Sequence, residues 1–454
     1  MRQACRSKLV LACWSVAFVV TVANLSWAEN WPGFRGPTGQ GISWEGPRLA
    51  GSQKDVPTQW SQTSNILWKT RVPGNGWSSP IVFDDRVFVT TATDEGASFR
   101  LVCIDRWTGN ILWDKQVLQQ EPGHKSQQNS YASSTPVTDG RRVYVLAYDG
   151  SFAAVSMEGD VIWTNRDFHY YSEHGLAVSL ILYQDLLIAP FDGSSPGPDK
   201  ALGWQKPWDQ AVIIALDKNT GQVRWKARRG SSRIAHVTPQ ILSQDGQEQL
   251  VSSAGDVVQG FELKTGERLW TVASTGEGVV PSLVIGDGLI FATSGFGQPT
   301  IRAIRTGGKG DVTQSHIAWE SADDVPMIPS MLLAPATGRG TPAERRGLMS
   351  PRESGDYLFL VTEGGVAKCL AAATGEVLWR NRLAGRYSAS PIWVDGKIYF
   401  LSEQGRTTIV DAAGEFNVVA QNELQEKCCA SPAVSNKHIF IRSEDAVYCI
   451  GPGQ

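Results

Sequence analysis

Apolar positions in this chain fall in short runs and short alternations, each cut off by Gly, Asp, Asn or Pro. That pattern predicts strands joined by tight turns. Pro391 to Leu401 reads as strand, Asp395-Gly396 turn, strand, and the next turn follows at Glu403-Gln404-Gly405. Asp-Gly between apolar alternations is a strong hairpin signal, because Gly takes positive φ without a steric penalty. Corresponding turns are Asp149-Gly150, Asp192-Gly193, Ala254-Gly255, Ser294-Gly295 and Glu363-Gly364. A second phrase recurs beside them. Ala215-Leu216-Asp217 ends a strand, Asn219-Thr220-Gly221 turns the chain, and the next strand reaches Trp225. Cys103-Ile104-Asp105 leads through Thr108-Gly109 to Trp113, and Cys369-Leu370-Ala371 leads through Thr374-Gly375 to Trp379. Gly260 to Trp270 carries Thr265-Gly266, and Ala154 to Trp163 turns at Glu158-Gly159.

A recurring unit of ~45–60 residues with strands and no helices predicts a β-propeller or another repeat array. The spacing Ala-x-Asp-x-x-x-Gly-x-x-x-Trp resembles the tryptophan-docking motif of quinoprotein (PQQ-type) β-propeller repeats. Ala215, Asp217, Gly221 and Trp225 match it in full; Cys103, Asp105, Gly109 and Trp113 match with Cys for Ala. The resemblance implies that each Trp lies on an outermost strand and packs against the neighbouring blade. The docking positions are then Trp68, Trp113, Trp163, Trp225, Trp270, Trp319 and Trp379, with Val418 in a degenerate eighth. The resemblance covers nearly all of the mature chain and is specific for fold. It leaves activity open, because this fold hosts dehydrogenases, assembly scaffolds and binding proteins alike.

The starts of the innermost strands give the blade number. They are Ser79-Pro80, Thr135-Pro136, Val178-Ser179, Thr238-Pro239, Pro281-Ser282, Pro329-Ser330, Ser390-Pro391 and Ser431-Pro432. The expected fold is all-β: an eight-bladed propeller of four-stranded antiparallel blades over residues 65–454. Seven blades would follow if the irregular Met327–Trp379 repeat were not a blade. Asn65-Ile66-Leu67-Trp68 reads as an outer strand with no partners before it, whereas the last strands, Ala433 to Ile450, lack a Trp strand. The first strand should therefore complete the last blade and remove the open edge. Residues 29–64 are too rich in Gly and Pro for regular structure and should cap the propeller, anchored by Trp31 and Phe34. Long segments 114–133, 164–177 and 191–211 fall on one face; segment 335–356, with Arg339, Arg345, Arg346 and Arg352, falls on the other. Long loops gathered on one face of a rigid scaffold usually carry function, with drift in loop length as the plain alternative.

Charge changes the picture only by exclusion. Lys and Arg number 42 against 45 Asp and Glu, with no basic excess to hold nucleic acid. The N-terminus adds an address. Arg2, Arg6 and Lys8 precede an apolar run from Leu9 to Leu25, and Ser26-Trp27-Ala28 offers small residues at the positions a signal peptidase reads. Residues 1–28 are expected to be a secretory signal peptide cleaved after Ala28, with an uncleaved anchor as the alternative. The mature chain would be periplasmic or extracellular, monomeric, and in contact with the membrane only through this peptide or a partner. Cys103, Cys369, Cys428, Cys429 and Cys449 then remain, an odd number that is no disulfide framework. Cys103, Cys369 and Cys449 occupy the small-residue slot facing a docking Trp, where buried packing is the plain reading.

The residues just before the inner strands should reach the central funnel: Trp77, Tyr131, His174, His236, Arg386, Tyr387, Cys428 and Cys429. Aromatics, imidazoles, an Arg and two thiols could hold a planar or peptide ligand; polar plugs in a channel are the plain alternative. His169 to His174 has no defined metal geometry, and no nucleophile motif occurs. No catalytic and no metal-binding residue is assigned. The resemblance implies two functions. One is an exported, non-catalytic scaffold of the cell envelope, similar to the BamB type of outer-membrane protein assembly, binding a protein partner and needing no cofactor. The other is a quinoprotein oxidoreductase using PQQ with calcium. For it, Cys428-Cys429 would correspond to the vicinal disulfide of quinoprotein alcohol dehydrogenases, but no carboxylate–amide set for calcium and no haem-binding Cys-x-x-Cys-His is recognisable.

Overall fold

Each repeat folds as an antiparallel meander, with tight Gly-containing turns at most strand junctions and long loops at a few. In the third blade Ile181–Tyr183, Leu186–Phe191, Val212–Asp217 and Val223–Arg228 pair in chain order. Leu186–Phe191 is buried along its whole length, as its unbroken apolar sequence requires. The outer strand Val223–Arg228 alternates, with Trp225 and Ala227 turned inward. The computed structural model describes residues 30–43, 56–244, 246–334 and 356–452. Eight such sheets form the ring of an all-β propeller. The sixth consists of Leu332–Ala334, Tyr357–Val361, Val366–Ala371 and Val377–Arg382, so the irregular repeat is a blade. The signal segment 1–28, Trp44 and the arginines of 335–355 lie outside the described residues.

Neighbouring blades meet through indole rings. Trp68 donates its Nε1–H to the Arg106 carbonyl at 2.8 Å. Trp113 does the same to Met157, Trp163 to Lys218, Trp225 to Leu263, Trp319 to Ala372 and Trp379 to Ala413, each at 3.0 Å and each onto the next blade. Beside the carbonyl lies the turn glycine. Gly221 has φ of 75°, and a Cβ there would stand 2.6 Å from the Trp163 ring. Glycine is needed twice over: for its backbone angle, and to let the indole lie on the turn.

Two junctions depart from this scheme. Trp270, in the fourth blade, donates to Gln249 of its own blade at 2.7 Å. The fifth blade replaces the tight turn between Ile301–Arg305 and Ile317–Ser321 with an insertion. That insertion holds one helical turn, Thr313–His316, and the strand Gly310–Asp311, which pairs in parallel with Trp270 and Thr271. This helical turn and a 3-10 turn at Asp94–Gly96 are the exceptions, among the described residues, to the expectation of strands alone. In the seventh blade the docking slot expected at Val418 falls instead on Ala420, which pairs with Ile409 as Trp379 pairs with Cys369, while Val418 is exposed like Val377. In the eighth blade Ile66–Arg71 pairs antiparallel with Ala446–Ile450 and closes the ring as expected.

Residues 30–43 fill the lower channel. Trp31 exchanges backbone bonds with Val82 of the first blade, Pro32 accepts from Thr138 of the second, and Gly41 accepts from Trp393 of the seventh. Arg35 is buried and donates to the Met331 carbonyl at 2.6 Å. The segment is irregular except at Ile42–Ser43, which adds a short parallel strand to Ile392–Val394.

Two outcomes are expected. Trp225→Ala should lower stability by about 3–5 kcal/mol, whereas Trp107→Ala, at an indole 47% exposed, should change it far less. Equal chemical-denaturation midpoints would contradict an inter-blade role for Trp225. Second, a chain starting at Pro73 should unfold less cooperatively than one starting at Trp60. Both lack the channel segment, so the comparison isolates the closing strand. Identical melting of the two would show that the strand is dispensable for closure.

Candidate functional site

The innermost strands open on an edge that faces the channel, where a missing N–H costs nothing. Pro80, Pro136, Pro239, Pro391 and Pro432 stand there, each holding the hydroxyl residue before it extended. Every blade contributes one such hydroxyl: Ser79, Thr135, Ser179, Thr238, Ser282, Ser330, Ser390 and Ser431. Most are linked in a belt. The backbone N–H of Ser79 donates to Thr135 Oγ1 at 3.0 Å, Thr135 to Ser179 Oγ at 3.0 Å, and Ser179 to Thr238 Oγ1 at 3.1 Å. Ser282 donates to Ser330 Oγ at 2.9 Å, Ser330 to Ser390 Oγ at 3.0 Å, and Ser390 to Ser431 Oγ at 2.9 Å. No such bond joins Thr238 to Ser282, or Ser431 to Ser79, among the described residues.

Above the belt the chain is extended, so the residue two positions earlier points the same way. This gives a second tier: Trp77, Ser133, Ala177, His236, Val280, Ile328, Ser388 and Cys429. Belt and tier, with Phe34 from the channel segment and Phe296 at the mouth, enclose a cavity of about 260 Å³. No Arg, Lys, Asp or Glu side chain lines it. Among the described residues no cluster of three or more His, Cys, Asp or Glu is placed to hold a metal ion.

Of the eight residues expected at the funnel, Trp77, His174, His236 and Cys429 line this cavity. The others do not. Tyr131 packs edge-on to Tyr148 and donates to the Gly123 carbonyl. Arg386 is exposed and pairs with Glu403 at 3.6 Å. Tyr387 is fully buried in the core and donates to the Ala384 carbonyl. Cys428 is buried one residue out of phase with Cys429. Sequence reasoning missed the belt, Ser133, Ser388, Phe34 and Phe296. The period-two relation to each Ser or Thr that opens an inner strand would have found the first three.

All five described cysteines are free thiols. Burial pushes both Cys428 and Cys429 up to about 12, so they stay protonated and are poor nucleophiles at neutral pH. His236 is the sharper case. It is 6% exposed, and neither ring nitrogen has a hydrogen-bond partner. Burial lowers its pKa to about 3, with the neighbouring His174 adding to the effect, so the ring is neutral. The two imidazoles stand 6.4 Å apart between centroids, and His174 also meets Trp204 edge-on.

Three loops build a wall on this side of the mouth. Asn129 Nδ2 donates to the His174 and Leu176 carbonyls at 2.9 and 3.2 Å. Ser194 donates its backbone N–H to Tyr171, and Tyr170 donates to Asp149. Beneath, Asp192 and Arg229 form a fully buried ion pair, and Arg229 also donates to Ser252 Oγ at 2.7 Å. Segments 120–134, 166–180 and 192–211 are thus held to one another and to the blades.

Fold and funnel together define an eight-bladed propeller of PQQ-type repeats. The family described as outer membrane protein assembly factor BamB matches residues 14–130, 65–199, 208–316 and 317–415, and the chain belongs to that family. A BamB relative from Nitrosomonas eutropha is 27% identical over a stretch spanning 25% of this chain. The stretch spans 38% of the relative's own length, so the relative is matched only in part. Among solved structures, BamB from Moraxella catarrhalis superposes with a TM-score of 0.56 at 14% identity, covering 85% of this chain and 97% of that one. Quinohemoprotein alcohol dehydrogenase from Comamonas testosteroni gives a TM-score of 0.59 at 11% identity, covering 94% and 81%. At such identities the structural likeness is one of fold.

The buried imidazole makes stability depend on acidity. The folded pKa of His236 lies below its ordinary 6.5, so the unfolded chain takes up the proton first as pH falls. Its contribution is whole above about 6.5 and is lost progressively as pH drops toward about 3, on the order of a few kcal/mol at most. His236→Phe should therefore lose less stability than the parent between pH 6.5 and about 4. Parallel melting curves for the two proteins would show that His236 does not set this dependence.

Proposed function

We infer that the protein is an exported, monomeric, non-catalytic scaffold of the cell envelope, of the outer-membrane protein assembly type, which holds a protein partner on its funnel face. The family match along most of the blades carries this reading. The interlocked loops support it, since a wall tied by Asn129, Tyr170 and Ser194 presents a preorganised surface. Export through residues 1–28, with cleavage after Ala28, would put that surface in the periplasm or beyond.

The oxidoreductase reading is the weaker one. A quinone carrying several carboxylates needs cationic side chains, and its calcium needs carboxylate and amide ligands; the funnel lining supplies no Arg, Lys, Asp or Glu. The reading adopted therefore includes no cofactor, and no step is assigned to PQQ.

A photo-crosslinking residue at Tyr171, on the loop wall, should capture a protein of outer-membrane assembly in living cells. One at Leu112, on the outer rim, should capture none. Absence of any captured protein at Tyr171, or equal capture at both sites, would remove the funnel-face reading. In the same preparation, a quinone absorbance appearing after PQQ and calcium are added would restore the oxidoreductase.

A further inference from the structure

The channel centre has chemistry that the scaffold reading does not use. Six belt hydroxyls accept a backbone N–H from the preceding blade. Among the described residues none of the belt protons is donated to a protein acceptor, so they are free to turn inward. A hydroxyl with one lone pair engaged keeps a donor and a further acceptor site. His236 adds one donor and one acceptor, because a neutral imidazole carries both and neither nitrogen has a partner. An unpartnered polar ring buried this deeply is costly unless a ligand or solvent satisfies it.

Charge restricts what fits. The lining carries no formal charge. Arg35, the buried cation beneath, is turned to the Gln40 and Met331 carbonyls and is not part of the lining. A charged ligand would be desolvated without a counter-ion at this site. Shape restricts it further. Hydroxyls surround the axis at one level, Phe34 closes the space from below, and Trp77 and Phe296 stand toward the mouth. The matching molecule carries polar groups around its rim and C–H groups on its two faces. An extended peptide needs a groove open at both ends, and the channel segment shuts one of them. The volume of about 260 Å³ is far above the ~10–15 Å³ that admits one water.

We propose that the belt and His236 form a binding site for an uncharged polyol of single-ring size, either a free cyclic polyol or the terminal sugar of an envelope glycan. This site is independent of the protein-partner reading, and either can fail without the other.

Calorimetric titration of the full mature protein tests it with myo-inositol and methyl α-glucoside as free rings, and with a dextran oligosaccharide as a chain end. Glucuronate, glucosamine and a blocked dipeptide amide serve as comparators. At least one neutral probe should bind, and the dextran arm decides whether a chain end is accepted. His236→Phe should weaken that binding about tenfold or more. Without the polyol the variant should melt at or above the parent temperature near pH 7, because the ring it replaces has no protein partner. Ser330→Ala combined with Ser390→Ala should also weaken binding. The proposal is overturned if no neutral probe binds at tens of millimolar, or if a charged sugar or the dipeptide binds better. Unchanged affinity in a folded His236→Phe protein overturns it as well.

Discussion

The propeller depends on one contact repeated around its rim: an indole lying on the turn glycine of the next blade and donating its N–H to a carbonyl there. A four-stranded blade cannot bury both faces alone, so it is stable only against neighbours. The indole supplies a large buried area, and its single donor fixes where along the neighbour that area sits. Trp225 shows the economy of the device. Ala215 pairs with it across the sheet, Gly266 lies beneath its ring, and the Leu263 carbonyl accepts its N–H. Where the receiving turn changes, the device goes with it. The insertion in the fifth blade leaves Trp270 without a turn, and in the seventh blade the pair is reversed, with Ile409 in the small-residue slot and Ala420 where the indole would stand.

The inner belt is a second, weaker ring of contacts, and its gaps matter as much as its links. The junction between the fourth and fifth blades lacks both the indole contact and the Thr238–Ser282 bond. Main-chain bonds still join the two blades there. His236 donates its backbone N–H to the Val279 carbonyl at 2.7 Å, Gly278 donates to Ile234, and Val312 donates to Thr271. The His236 bond is the counterpart of the one Trp77 donates to the Ala132 carbonyl at the first junction, so the backbone frame is shared and the imidazole is what differs.

Much of the fold was legible because turn chemistry is local. Asp-Gly and Asn-Thr-Gly need no knowledge of the rest of the chain, and eight Ser or Thr positions at strand starts count the blades directly. The closing strand was legible too, since Trp68 is a rim tryptophan with no blade of its own ahead of it. The site was legible only in part. Trp77, His236 and Cys429 each precede a belt hydroxyl by two residues. Cys428 and Tyr387 precede one by three, and extended backbone turns them to the opposite side. Tyr131 and Arg386 stand four residues before theirs, where the chain has already left the channel for the loop above. Proximity in sequence to an inner strand was too coarse a criterion; phase was the missing information for all but His174, which stands five residues before Ser179 and reaches the cavity from its loop. The insertion that alters the fifth blade opens on Thr306-Gly307 like an ordinary turn, so its length and its effect on Trp270 appear only in three dimensions.

Phase also separates what the two tiers contribute. The belt is chemically uniform: every blade opens its inner strand with a hydroxyl, and six of the eight accept a neighbour's N–H. The tier above is mixed: an indole, an imidazole, a thiol, two hydroxyls and three apolar side chains. A uniform ring cannot orient a ligand, since eight equivalent donors offer eight equivalent poses. Orientation must come from the mixed tier, and within it His236 differs most from its counterparts in combining two unpartnered polar atoms with near-complete burial. Selectivity at the centre of this propeller therefore resides in side chains that differ from blade to blade, above a belt that every blade repeats.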